Sequence, residues 1–128
     1  MKKHFVLFLL AGFSILAATL SASAQGLELK TAYGDEKGCR VAKGEQVEGD
    51  DFLVLTSDGI TSYASACEVV QVLSSKDGTK IATTLCDNEG QEEHSIAMFS
   101  IGKSASDPAA LRIYDETGNL WGEVRPCP

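Results

Sequence analysis

The residues of this chain whose chemistry depends most on spacing are four cysteines, Cys39, Cys67, Cys86 and Cys127. Zinc sites pair their cysteines at short range, as in C-x-x-C, because two thiolates on one turn hold a single ion. No such pair occurs here, so metal ligation by cysteine is not expected. An even number of cysteines in a small exported domain instead implies two disulfides. Three connectivities are open. Cys39–Cys67 with Cys86–Cys127 is the preferred reading. Cys67–Cys86 is the alternative, because a hairpin at Asp77-Gly78 would bring those two strands together.

The remaining reactive groups are sparse. His94 is the one histidine beyond the first few residues. A serine nucleophile would have to use it as base, yet no G-x-S-x-G elbow accompanies it. Paired cysteines are not nucleophiles. No catalytic residue and no cofactor is therefore expected, and the chain does not read as an enzyme. The densest polar cluster is Asp87, Glu89, Glu92, Glu93 and His94. Asp87-x-Glu89-Gly90 opens like a calcium loop, but the later oxygens and the closing bidentate Glu do not line up. The cluster reads as a solvated hairpin tip, with no metal bound. Two further acidic pairs, Asp35-Glu36 and Asp50-Asp51, would need a cleft to act as acid and base. Their expected role is solubility or contact with a basic protein, and these four residues form the candidate binding surface.

Four aromatics, Tyr63, Phe99, Tyr114 and Trp121, could line the mouth of a barrel. The preferred reading places them in the core of a small β domain. Gly122 beside Trp121 should let another stretch of backbone approach the indole closely.

The start of the chain has the three parts of an export signal. Lys2 and Lys3 precede an apolar run from Phe5 to Leu20, and Ala22-Ser23-Ala24 supplies the small residues a signal peptidase requires. The run is short of the ~20 residues that cross a bilayer core. Cleavage after Ala24 is expected, leaving residues 25–128 as a single domain with no further membrane span. Loss of Lys2 and Lys3 reduces the 11 basic residues to 9 against 18 acidic ones, a net charge of −9. Such a surface repels nucleic acid. Hydrophobic residues make up 44% of the chain, too many for a disordered one.

Alternating apolar residues and turn sequences define the elements. Strands are expected at Leu27–Tyr33, Phe52–Thr56, Ile60–Leu73, Lys80–Cys86, His94–Ile101, Ala110–Tyr114 and Leu120–Val124. In the fourth of these, Ile81, Thr83 and Leu85 share a face. Thr61–Cys67 reads as strand rather than helix, since Tyr63 and Thr61 suit a pleated surface. Turns fall at Ser57-Asp58-Gly59, where Gly59 would take a positive φ, at Lys76-Asp77-Gly78-Thr79, at Asp87–Gln91 and at Asp115–Asn119. Gly34–Asp51 is acidic and glycine-rich, and reads as a long loop pinned through Cys39. Cys127 should tack down the proline-flanked tail. Seven short strands with regular turns predict an all-β fold, a small antiparallel barrel or sandwich with two disulfides.

Gly38-Cys39-Arg40, Asp51–Thr56, Asp58-Gly59-Ile60, Ser65-Ala66-Cys67, Leu85-Cys86, and Trp121-Gly122 ahead of Pro126-Cys127 make the chain similar to small exported four-cysteine proteins of alphaproteobacteria. The resemblance covers most of residues 25–128. It implies a periplasmic or secreted setting and no reaction. The Ser-Gly-x-x-Tyr loop of periplasmic lysozyme inhibitors, also small β-barrels, is absent, so no inhibitory residue carries over. The expected function is a non-catalytic binding module for another macromolecule. An envelope-maintenance protein and, behind it, a small hydrolase are the alternatives. Intact-mass measurement of exported material should find a chain starting at Gln25 and four hydrogens lighter than its reduced form. Residues 1–24 still attached, or four free thiols, would contradict this reading.

Overall fold

A computed structural model describes residues 26–128. The expected export segment, residues 1–24, lies outside the described residues. The chain forms β1 (Tyr33–Gly34), α1 (Glu36–Ala42), β2 (Leu53–Leu55), β3 (Gly59–Ser62), β4 (Ser65–Ser74), β5 (Lys80–Asn88), β6 (Ser95–Lys103), β7 (Leu111–Tyr114) and β8 (Leu120–Pro126). Each strand pairs antiparallel with its sequence neighbours, and β1 also pairs with β8, closing a barrel. The expected all-β architecture is present, as a barrel and not a sandwich.

Two of the seven expected strands differ, and the first difference makes the count eight. Ile60–Leu73 is two strands joined by a turn at Tyr63-Ala64. Leu27–Tyr33 is not a strand apart from Tyr33. The Leu29 amide donates to the Leu27 carbonyl at 2.8 Å, a tight turn that ends the alternation. Leu27 instead donates its own amide to Ser57 and inserts its side chain into the core, where it is 4% exposed. Thr61–Cys67 contains no helix, in line with the strand reading. The hairpin at Asp77-Gly78 forms with Gly78 at φ +88°, whereas Gly59 needs no positive φ and opens β3.

The interior is narrow, as expected for eight strands. Ala82 and Thr84 are fully buried in it. The Thr84 hydroxyl donates to the Ala97 carbonyl at 3.0 Å, so no buried donor is left unpaired there. Leu55, Ile60, Ala110, Ile113 and Val124 are also fully buried, and Phe99 and Ile101 nearly so. Ile81, Thr83 and Leu85 do share a face, but it is the outer one. The register shifts at Val70, a bulge that changes which β4 positions face inward, from Cys67 and Val69 to Val72.

The disulfides are Cys39–Cys127 and Cys67–Cys86, which corrects the preferred pairing. Cys67 and Cys86 are directly opposed in the β4–β5 ladder and both face the core. The hairpin therefore settles this bridge and leaves Cys39 to the tail. Cys127 is indeed the anchor of the C-terminus.

The expected loop Gly34–Asp51 contains α1. Asp35 caps it, its carboxylate accepting from the Gly38 amide at 2.5 Å. Glycine within a helix costs about 1 kcal/mol, yet here it is required. A Cβ at Gly38 would lie 2.0 Å from the Leu53 carbonyl oxygen. The helix thus packs onto β2 through a gap that only hydrogen fits.

Cys39–Cys127 spans 88 residues and ties α1 to the strand that completes the barrel. Chain entropy assigns a crosslink of that span about 4–5 kcal/mol, against about 3 kcal/mol for the shorter bridge. A domain of this size has about 5–15 kcal/mol in all. The double substitution Cys39→Ala/Cys127→Ala should lower unfolding free energy in urea by about 3–5 kcal/mol, with faster amide exchange first in β1 and the end of β8. A loss below about 1 kcal/mol would show that the barrel closes without this bridge.

Candidate functional site

In an up-and-down meander, alternate turns share an end. The turns after β3, β5 and β7 and the α1 connection lie at one end, here called the helix end. β1 has only two residues, so β2 and β8 nearly meet there. Their juxtaposition creates an open groove of about 360 Å³ lined by Asp35, Asp50, Asp51, Phe52, Trp121 and Glu123, among others. Phe52 and Ser62 continue it into a second hollow of about 560 Å³, to which Tyr63, Asp87 and Glu89 contribute.

Three of the four candidate acids therefore converge, but they are not equivalent. Asp35 is committed to the fold. One carboxylate oxygen caps α1 and the other accepts from the Leu53 amide at 3.1 Å. Asp51 is paired with Lys37, whose ammonium bond is the main cause that holds this carboxyl below its ordinary range. Asp50 is exposed and makes no ion pair among the described residues. Glu36 sits exposed in the first turn of α1 and does not line the groove. Glu123 accepts from the Arg112 guanidinium at 2.9 Å and from Ser104 at 3.1 Å, and these two bonds, Arg112 first, lower its pKa.

The aromatics divide as well. Phe99 is core, 4% exposed, as expected. Tyr114 is half-buried. Tyr63 and Trp121 are surface residues, 56% and 37% exposed, contrary to the core reading. Trp121 rests on Phe99 with ring centroids 4.6 Å apart, so one side of the indole is anchored on the interior while the rest faces the groove. Gly122 serves close packing, but the neighbour is the Leu53 side chain and not backbone. A Cβ there would lie 2.6 Å from Leu53 Cδ2. Phe52, Trp121 and Glu123 were not identifiable as one site from sequence, because only barrel closure brings β8 beside β2.

His94 lies elsewhere, exposed and paired with Asp87. No serine hydroxyl bonds to it among the described residues. Asn88 ties the neighbouring turns together, accepting from Ser65 at 2.7 Å and donating to Ser95 at 2.7 Å. The cluster around Asp87 and Glu89 is thus held as a hairpin tip. Among the described residues, no three His, Cys, Asp or Glu side chains converge to hold a metal ion.

Together these features define a class: a closed, disulfide-linked antiparallel β-barrel with an acidic, aromatic-walled end. No protein family, curated protein or solved structure matches the chain.

The two acid types separate by mutation. Asp35→Ala removes a helix cap and a β2 hydrogen bond together, and should cost about 1–3 kcal/mol in urea unfolding. Asp50→Ala should stay within about 0.5 kcal/mol of wild type. Equal losses at both positions would mean that Asp35 is merely another surface charge.

Proposed function

We propose that this chain is an exported, non-catalytic binding module that holds basic segments of another macromolecule in the groove at the helix end. One observation carries the reading. Exposed Tyr63 and Trp121 stand beside Asp50, Asp87 and Glu89 at the same end of a rigid barrel. Carboxylates attract a Lys or Arg side chain, and an aromatic face beside them adds about 0.5–1 kcal/mol through cation–π contact at an exposed site. The nearest basic residues do not cancel this charge. Lys37 is taken by Asp51, Arg40 by Glu45 and His94 by Asp87, leaving Asp50 and Glu89 free of ion pairs among the described residues. An overall negative charge also steers a cationic partner toward the protein. Two formed disulfides suit an oxidising compartment such as the periplasm or the exterior.

Trp121 is the only tryptophan, so its fluorescence reports on the groove directly. Titration with an arginine-rich peptide should shift Trp121 emission at low salt, and the affinity should fall steeply as salt rises. Asp50→Asn should weaken binding several-fold. Affinity that is equal at low and high salt, or emission that never responds, would exclude the electrostatic groove.

A further inference from the structure

The two disulfides sit in unlike places. Cys67 and Cys86 are 4% and 2% exposed, and they oppose one another inside the long β4–β5 ladder, which holds both strands with or without the bridge. Cys39 and Cys127 are partly exposed, one on α1 and the other just past the end of β8. Their bridge is the one covalent tie across the β1–β8 seam among the described residues. Without it the seam keeps only the pairs Tyr33–Pro126 and Gly34–Arg125 and the bond from the Cys127 amide to Ala32 at 2.8 Å. On its other side β8 stays fixed to β7 by four paired positions and the Arg112–Glu123 ion pair, and Arg125 is drawn to Asp107 and Glu123. Any opening therefore falls at the seam. The seam also divides the groove, with Asp35, Asp50, Asp51 and Phe52 on the α1–β2 side and Trp121 and Glu123 on β8.

We propose that Cys39–Cys127 is a redox latch on the groove: a dithiol reductant opens this bridge and not Cys67–Cys86, and the two walls then part. Thiol–disulfide exchange requires a thiolate to reach a sulfur, so exposure sets which bridge reacts first. One thiolate of the dithiol attacks one sulfur of the bridge, forms a mixed disulfide and expels the other cysteine as a thiolate. The second thiolate of the dithiol then attacks the mixed disulfide and expels the remaining cysteine. The reductant leaves as a disulfide, and its two protons end on Cys39 and Cys127. The effect on a bound partner rests on the binding role proposed above, whereas the order of reduction and the opening of the seam do not.

Graded dithiothreitol on the oxidised, exported protein without denaturant tests this, with free thiols trapped by iodoacetamide and located by peptide mapping. Cys39 and Cys127 should be trapped about tenfold or more faster than Cys67 and Cys86. Trp121 emission should move to the red in step, and amide exchange should quicken in β1 and the end of β8 while β4 and β5 stay protected. Reoxidation of untrapped samples should reverse each change. Affinity for an arginine-rich peptide should fall several-fold in the opened form, and Cys39→Ala/Cys127→Ala should show that weaker binding with or without dithiothreitol. All four cysteines trapped together, Cys67 and Cys86 trapped first, or an opened bridge that leaves Trp121 emission and β1 exchange unchanged would overturn the proposal. Equal peptide affinity in both redox forms would end the latch and spare the groove. An oxidised protein that binds no peptide would end the groove, with the latch then decided by trapping, emission and exchange.

Discussion

The closure of the barrel depends on β1, a strand of two residues. Tyr33 and Gly34 supply the whole ladder between β2 and β8, with partners Leu55 and Val54 on one side and Pro126 and Arg125 on the other. So short a strand cannot hold two sheet edges together through its own hydrogen bonds, each worth about 1 kcal/mol net. Three nearby features compensate. Cys127 donates its amide to Ala32 at 2.8 Å, which lengthens the seam by one bond. Asp35 joins the end of β1 to the start of β2. The disulfide from Cys39 to Cys127 then crosses the seam covalently. Pro126 has no amide to give the ladder, so the Cys127 amide and the crosslink beside it carry the end of the closing strand.

The groove follows from the same constraint. A longer β1 would separate β2 from β8, and Leu53 could not pack on Gly122. Trp121 would lose its place beside Phe52. The acids of the groove therefore differ in kind. Asp35 belongs to the seam and Asp51 to the Lys37 pair, so the charge open to a partner comes from Asp50 and from the hairpin tips beyond it. Acidic residues that look alike in a sequence become either structural or available according to the backbone amides near them.

Much of the fold was legible beforehand. The strands from β4 to β8 and their turns follow from alternation and from turn residues such as Asp77-Gly78, which depend on local geometry. What was not legible depends on contacts far apart in sequence. The helix α1 is hidden by Gly38 within it and by Gly34 and Gly44 on either side, and Gly38 makes sense only against the Leu53 carbonyl. The place of Leu27 in the core depends on a bond to Ser57. The pairing of Cys39 with Cys127 depends on closure itself. For the site, three of the four candidate acids converge, yet the aromatic half of the groove comes from β8 and had no local signal linking it to β2.

The outer wall shows a related limit of pattern reading. On β5 and β6 both faces carry apolar residues: Ala82 and Cys86 against Ile81 and Leu85, Phe99 and Ile101 against Ile96 and Met98. Alternation separates two faces without saying which is inside. Cross-strand pairing decides it here: on β5 the small Ala82 goes in opposite the bulky Phe99 of β6, and Thr84 goes in opposite Ala97, while Ile81 and Leu85 stay out. Leaving large apolar residues in water on the longest strands loses roughly 25 cal/mol per Å² that burial would recover. A transmembrane barrel does not account for this wall, because spanning strands need about 9–11 residues and β1, β2, β3 and β7 have four or fewer. The exposed apolar residues are thus confined to β5, β6 and Leu73 of β4, where Glu68 and Gln71 share the outer face, an arrangement unlike a lipid-facing ring.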